Sequence, residues 1–210
     1  MKRNDKTVDL RIIKTKKAIR DAFLALIEEK GFERISVKEI TEKAMISRNT
    51  FYLHYSDKND LFNKICDDLM RTLFFRAGKQ LRRVQQNEFT LASVASIIKS
   101  AMAAVDDDRE EYRVFFSDSD ISGILTLKIN TIARRFLDLI KDDIEGISEW
   151  SMAYTVSGFS GVIRYHVLHG AEDLDAECQN FTKIHLKSII EIARNSRNGK
   201  NKDEKEKAQC

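Results

Sequence analysis

The 210-residue sequence contains no proline and only 8 glycines, so it lacks the punctuation that all-β folds need at their many turns. No apolar run approaches the roughly 18 to 20 uninterrupted residues of a membrane span, and the N-terminus has no apolar stretch of the kind a secretory signal carries. The expectation is a cytoplasmic protein with no membrane partner. Cysteine is scarce, and Cys66, Cys178 and Cys210 are an odd number at wide spacing, which fits reduced thiols rather than a disulfide framework or a zinc site. A nucleophile elbow, a phosphate loop, an HExxH helix and a carboxylate cluster are also missing. The reading is therefore not an enzyme, with no cofactor. What remains is 42% apolar, enough to bury an ordinary core, and rich in Leu, Ile, Ala, Glu and Lys, the residues that favour helices. The predicted fold class is all-α.

Net charge is only +3, but it is unevenly spread. The first twenty residues carry eight Lys or Arg against Asp5 and Asp9, whereas residues 61–210 carry 22 basic and 23 acidic side chains. The positive field lies at one end, where it would attract a polyanion.

Apolar periodicity at Ile19, Ala22, Phe23, Leu26 and Ile27 predicts an amphipathic helix from Lys14 to Lys30, with Gly31 as its C-cap. Ser36-Val37-Lys38-Glu39 has the form of a capping box, opening a short helix with Val37, Ile40 and Ala44 on its buried face. Ser47 is the next N-cap, for a helix ending between Tyr52 and Tyr55. Ser56 or Asp57 then starts a longer helix carrying Leu61, Phe62, Ile65 and Leu69. Further helices are predicted over about 90–105, 109–116, 121–140, 149–169 and 174–194, and residues 196–210 have no apolar face.

Two short helices joined by a tight turn, with a third helix before them, form a helix-turn-helix when the second is polar and exposed at its leading end. Ala44 is small where the helices cross, Ile46 plugs the turn, and Phe51 is available for the core. The exposed positions are then Arg48, Asn49, Thr50, Tyr52 and His54. An Arg48 guanidinium forks onto guanine, Asn49 pairs with adenine or a phosphate, and Thr50 meets a thymine methyl or a phosphate oxygen. Tyr52, His54 and Tyr55 suit phosphate contacts, and Lys58 places a cation beside the sugar-phosphate strand.

The series Ile35-Ser36-Val37-x-x-Ile40-x-x-Lys43-Ala44-x-Ile46-Ser47-x-x-Thr50-Phe51-Tyr52-x-His54-Tyr55-x-x-Lys58-x-x-Leu61 closely resembles the N-terminal signature of the TetR family of regulators, over about residues 14–65. The resemblance implies DNA contacts by Ser36, Lys38, Arg48, Asn49, Thr50, Tyr52, His54 and Lys58. One departure is Met45, in the turn, where the family usually has glycine. A non-glycine residue at positive φ costs on the order of 1 kcal/mol. The segment Lys16-Lys17-Ala18-Ile19 and the stretch from Phe51 to Asp60 also resemble the dihydroxyacetone-kinase regulator branch. In that branch a protein coregulator can stand in for a small-molecule ligand, and the outcome can be activation.

The stretch from Trp150 to Gly170 resembles the family's penultimate helix, which with the last helix forms a four-helix dimer interface. Gly158, Ser160 and Gly161 would let helix backbones approach closely while Val156, Phe159, Val162 and Ile163 offer apolar area, joined by Phe181 and Ile189 on the last helix. The alternative is that these glycines pack within one subunit. By the same resemblance a ligand is held among the middle helices, with Met102, Phe115, Phe116, Phe136, Trp150 and Tyr154 as candidate lining. His166, His169, Cys178 and His185 can be drawn as a four-ligand site, but helical histidine pairs are common without metal, and no metal is expected.

The resulting organisation is a basic arm over 1–13, a helix-turn-helix domain over 14–60, a helical ligand-binding and dimerisation domain over 61–195, and a charged tail over 196–210. The expected function is a sequence-specific transcriptional regulator, a homodimer on a near-palindromic operator, repressing until a small-molecule effector releases it. The alternatives are an activator controlled by a protein coregulator, and a helical interaction module that does not bind DNA.

Overall fold

The architecture is that of a computed structural model in which residues 5–85, 90–139 and 148–187 are described. All the regular structure among the described residues is helical, with no strand. The elements are α1 (Asp5–Lys30), a 3-10 turn (Phe32–Arg34), α2 (Val37–Lys43), α3 (Arg48–Tyr52), α4 (Lys58–Gln85), α5 (Leu91–Asp107), α6 (Arg109–Ser117), α7 (Ser122–Asp138), α8 (Glu149–His169) and α9 (Leu174–Phe181). The last runs on as π turns over Thr182–Leu186.

Helix ends follow the local chemistry. Thr90 opens α5 by accepting from the Ser93 amide, and the Ser93 hydroxyl returns the contact to the Thr90 amide. Ser148 caps α8 through the Ser151 amide, and α8 ends at Gly170, whose φ of 81° suits a residue without a Cβ. The first helix departs from expectation. It begins at Asp5 rather than Lys14, and Leu10 and Ile13 in the added stretch are exposed. Most of the stretch read as an arm is therefore helix. The prediction that the last helix reaches Arg194 falls outside the described residues beyond 187, as do Ile189 and the tail over 196–210.

The chain divides into two compact units: residues 1–69 with 110–125, and 70–109 with 126–210. The packing unit of the N-terminal helices thus takes in 110–125, a segment the sequence reading gave to the C-terminal domain.

In the first unit α1 packs on α2 and on the 3-10 turn, and α2 packs on α3. Its core is a run of ring contacts, Phe23 to Phe32 at 6.1 Å, Phe32 to Phe62 at 5.5 Å and Phe62 to Phe115 at 5.1 Å. Edge and tilted aromatic contacts of this kind add about 0.5–1.5 kcal/mol each beyond the area they bury. The segment from α6 is tied in by polar contacts: Arg20 donates to Glu111 at 2.9 Å, and the Phe32 amide to Asp118 at 2.8 Å.

In the second unit α5 packs against α8 and α9, burying Ile98, Met102 and Val105 from one side and Val156, Ile163 and Val167 from α8. Buried His166 faces Asp106 through Nε2 at 2.8 Å. Arg109 donates to the carbonyls of His166 (2.7 Å) and Val167 (3.1 Å), placing a cation against the carbonyl end of α8.

Candidate nucleic-acid interface

Placing a polar helix outward requires fixing it from both ends. The Ser36 hydroxyl accepts from the Glu39 amide at 3.3 Å, and Glu39 accepts from the Ser36 amide at 2.9 Å, completing the expected capping box of α2. Lys30 also bonds the Glu39 carboxylate. That ammonium first, then the Ser36 hydroxyl and amide, holds the Glu39 carboxyl down at about 2.

The turn after α2 closes with the Ile46 amide on the Thr41 carbonyl (3.0 Å) and the Met45 amide on the Glu42 carbonyl (3.2 Å), a Schellman pattern. This pattern needs a left-handed residue, and Met45 takes it at φ 53°, the one non-glycine residue at positive φ among those described. Its side chain is 92% exposed. The turn therefore has the geometry glycine would give, at the strain cost anticipated from the sequence.

Ser47 then caps α3, accepting from the Thr50 amide at 3.0 Å and sharing a 2.8 Å hydroxyl contact with Thr50. Phe51 anchors the helix at 0% exposure, its ring 5.6 Å from those of Tyr52 and Tyr55. One turn of helix with its middle aromatic buried leaves the rest outside: Arg48, Asn49 and Tyr52 are exposed and Thr50 half-buried. Lys38 is exposed on α2, 3.8 Å from Glu42. His54 is half-buried, and burial first, then the nearby Lys16 and Lys64 charges, push its pKa down. At neutral pH it offers an N–H rather than a charge.

Two predicted contact residues sit differently. Tyr55 is only 8% exposed, with its ring under the Lys64 ammonium at 5.2 Å, and burial raises its pKa. It packs in the core of the domain. Lys58 is spent internally: its Nζ donates to the carbonyls of Phe32 (3.0 Å) and Glu33 (2.9 Å) and lies 4.8 Å from the Phe32 ring centre. Two of its three donors thus hold the 3-10 turn. Sequence reasoning missed this role because nothing in a local motif says that the lysine reaches back 26 residues.

Residues 19–65 match the model of the family described as bacterial regulatory proteins, tetR family. That N-terminal segment is of the TetR family. Over 101 residues (46% of the chain) it is 29% identical to the HTH-type transcriptional regulator YxbF of Bacillus subtilis (strain 168). Over 52 residues (25% of the chain) it is 38% identical to YvdT of the same organism. The match spans 27% of the length of either relative. Solved structures of similar fold include the dihydroxyacetone kinase operon activator DhaS, with a TM-score of 0.53 and 18% identity, covering 83% of this chain and 96% of that one. A transcriptional regulator (TerR/AcrR family) from Aquifex aeolicus VF5 gives a TM-score of 0.53 and 19% identity over 83% and 99%. At these identities the likeness is one of fold.

The remaining predicted sites are distributed as follows. The six candidate pocket residues are divided between the two units. Phe115 and Phe116 are buried in the first unit, Phe115 against Phe62 and Phe116 stacked on Tyr112. In the second unit Met102 is buried and Phe136 lies 5.1 Å from Phe74, while Trp150 (89% exposed) and Tyr154 face outward. Among the proposed interface residues, Val156 and Ile163 are buried in the chain's own core, Phe159, Val162 and Phe181 are half-buried, and a Cβ at Gly158 or Gly161 would meet nothing within 4 Å. The outward face of α8 therefore runs Trp150, Tyr154, Gly161, Tyr165: aromatic at both ends and small between. The four drawn metal ligands have separate partners or surroundings: His166 bonds Asp106, His169 the Tyr165 carbonyl, His185 the Tyr154 hydroxyl, and Cys178 is buried, with its thiol raised to about 11 by burial.

Proposed function

We propose that this chain is a DNA-binding transcriptional regulator that acts as a homodimer on a near-palindromic duplex, with residues 14–60 making the DNA contacts and 61–195 serving dimerisation and effector control. The observation that carries the reading is α3: a single helical turn pinned by buried Phe51, with Arg48, Asn49 and Tyr52 turned to solvent. Side chains of these types at the leading end of a recognition helix reach base edges and phosphates in a major groove. Ser36, Lys38, Thr50 and His54 supply flanking contacts in this proposal. The α8 face of Trp150, Tyr154, Gly161 and Tyr165 supports the dimer, because small residues between apolar ones let two helices cross closely. A two-fold pair presents two recognition helices about one DNA turn apart, so the site repeats with that spacing. A cytoplasmic location follows from the role.

The sign of control proposed is repression relieved by a small molecule. A second reading, activation, is raised by DhaS, whose name is that of an operon activator. Selection of duplexes from a randomised pool tests the DNA-binding claim: the pool should converge on an inverted repeat. Affinity for that repeat should fall by about 10³-fold or more between 50 and 200 mM salt if six or more phosphates are neutralised. Failure to enrich any sequence would leave a helical interaction module instead. A reporter placed behind the selected site then separates repression from activation.

A further inference from the structure

The turn between α2 and α3 holds the one non-glycine residue at positive φ among those described, Met45 at 53°. Its side chain is 92% exposed, so packing within the unit does not offset the strain. The apolar contact that accompanies a turn of this kind comes from the residue after the left-handed one, here half-buried Ile46. The closing hydrogen bonds are donated by the amides of Met45 and Ile46, and glycine at 45 would donate equally well. Neither the packing nor the hydrogen bonds of the turn call for a methionine. A residue held in a sparsely populated conformation at a cost to stability is a mark of a functional site. Leu53, past the other end of α3, is 80% exposed as well, but its φ of −68° is ordinary, and a lone exposed apolar residue without strain is commonplace.

Met45 lies seven residues after Lys38 and three before Arg48, directly ahead of the Ser47 cap that starts the exposed turn of α3. Three residues span at most about 11 Å, which is about three base steps of a duplex, so Met45 stands beside whatever stretch Arg48 reads. Around it Lys38, Glu42, Arg48 and Asn49 are exposed and polar, and the methionine is an apolar side chain set among them. The major groove offers one apolar feature, the C5-methyl group of thymine. Methionine is unbranched, flexible and polarisable, which suits it to following a methyl group across small changes of DNA shape. We propose that Met45 is a specificity-determining residue, packing its thioether against a thymine methyl within about three base pairs of the base read by Arg48. The side chain is in solvent in the free chain and buried only on DNA, so the strain is offset in the complex. The assignment rests on the DNA-binding reading and adds to it an apolar contact from outside α3.

The test uses the full chain and the duplex obtained by selection, with each thymine replaced in turn by deoxyuridine, which lacks only the C5-methyl group. One such replacement in a half-site, within about three base pairs of the position that Arg48→Ala relaxes, should weaken binding by the parent about fourfold, the loss of one buried methyl group (about 0.8 kcal/mol). Met45→Gly, relieved of the strain, should bind the thymine and uracil duplexes alike. So should Met45→Gln, which keeps the reach of the side chain but not its apolar end, whereas Met45→Leu should keep most of the discrimination. A merely structural turn residue would not give this pattern, since Met45→Gly is expected to be both the more stable protein and the less selective one. A half-site with no thymine in that range, a parent that binds uracil as tightly as thymine, or the same fourfold loss in Met45→Gly would overturn the assignment. In the last case the methyl contact would belong to another residue, such as Thr50. A pool that enriches no sequence would sink the DNA-binding reading and this assignment together, whereas an enriched duplex indifferent to uracil would sink this assignment alone.

Discussion

Met45→Gly should stabilise the helix-turn-helix unit. Met45 holds φ 53° in the turn between α2 and α3, and an L-residue in that region costs roughly 1–2 kcal/mol through contact between its Cβ and the backbone. Glycine removes that cost but adds freedom to the unfolded chain, which offsets about 0.4–1 kcal/mol. The methionine side chain is almost wholly in solvent, so its removal forfeits little packing. The balance is a gain of about 0.5–1 kcal/mol. Since urea slopes for small proteins are about 1–3 kcal/mol/M, the midpoint should move up by a few tenths molar. The sole tryptophan, Trp150, lies in the other unit, so far-UV circular dichroism or amide exchange at Ile46 is the suitable probe. Met45→Ala is the control: it also loses the side chain but keeps the positive φ, and its stability should stay near that of the parent. If Met45→Gly proved no more stable than Met45→Ala, the strain argument would be wrong.

Lys58→Met should destabilise the first unit by about 1–2 kcal/mol in a denaturation curve. It keeps the stem near Phe32 but drops two carbonyl bonds to a charged group, worth somewhat less than their buried value at a 19% exposed side chain. An unchanged midpoint would return Lys58 to the phosphate-contact role. Phe51→Ala should cost about 3–5 kcal/mol as a core deletion, whereas Tyr52→Ala, at an exposed position, should leave stability within about 0.5 kcal/mol and weaken operator binding in a mobility-shift titration. Gly161→Arg should fold normally, since the space beyond its backbone is open, and should sediment as a monomer; a dimer would place the interface elsewhere. Glu39 is held at about 2 against an ordinary 4.5, so its stabilising contribution is complete above about pH 4.5 and fades as pH falls toward 2. Glu39→Gln should therefore narrow its deficit relative to the parent across that interval in acid titrations followed by circular dichroism, and a deficit constant with pH would remove the carboxylate from the account.

Most helices were legible because their ends carry local chemistry. Thr90, Ser148 and Gly170 mark their boundaries with capping groups, and the expected span 149–169 is the one observed for α8. The start of α1 was not legible, because Leu10, Ile12 and Ile13 are exposed and give periodicity no buried face to register. The outward polar turn of α3 could be read from Ser47, Phe51 and their spacing. The interior fates of Tyr55 and Lys58 could not, since they depend on Lys64 and on the carbonyls of Phe32 and Glu33. The pocket candidates fared similarly: aromatic spacing says that a residue seeks a partner, not which one, and Phe115 found Phe62 while Trp150 found solvent.

The central claim is that the exposed turn beginning at Arg48 reads base sequence. Duplex selection repeated with Arg48→Ala tests it most directly. The account predicts that preference relaxes at one position in each half-site, costing about 1–3 kcal/mol of discrimination there, while the spacing of the half-sites stays the same. An unaltered preference at every position would contradict it.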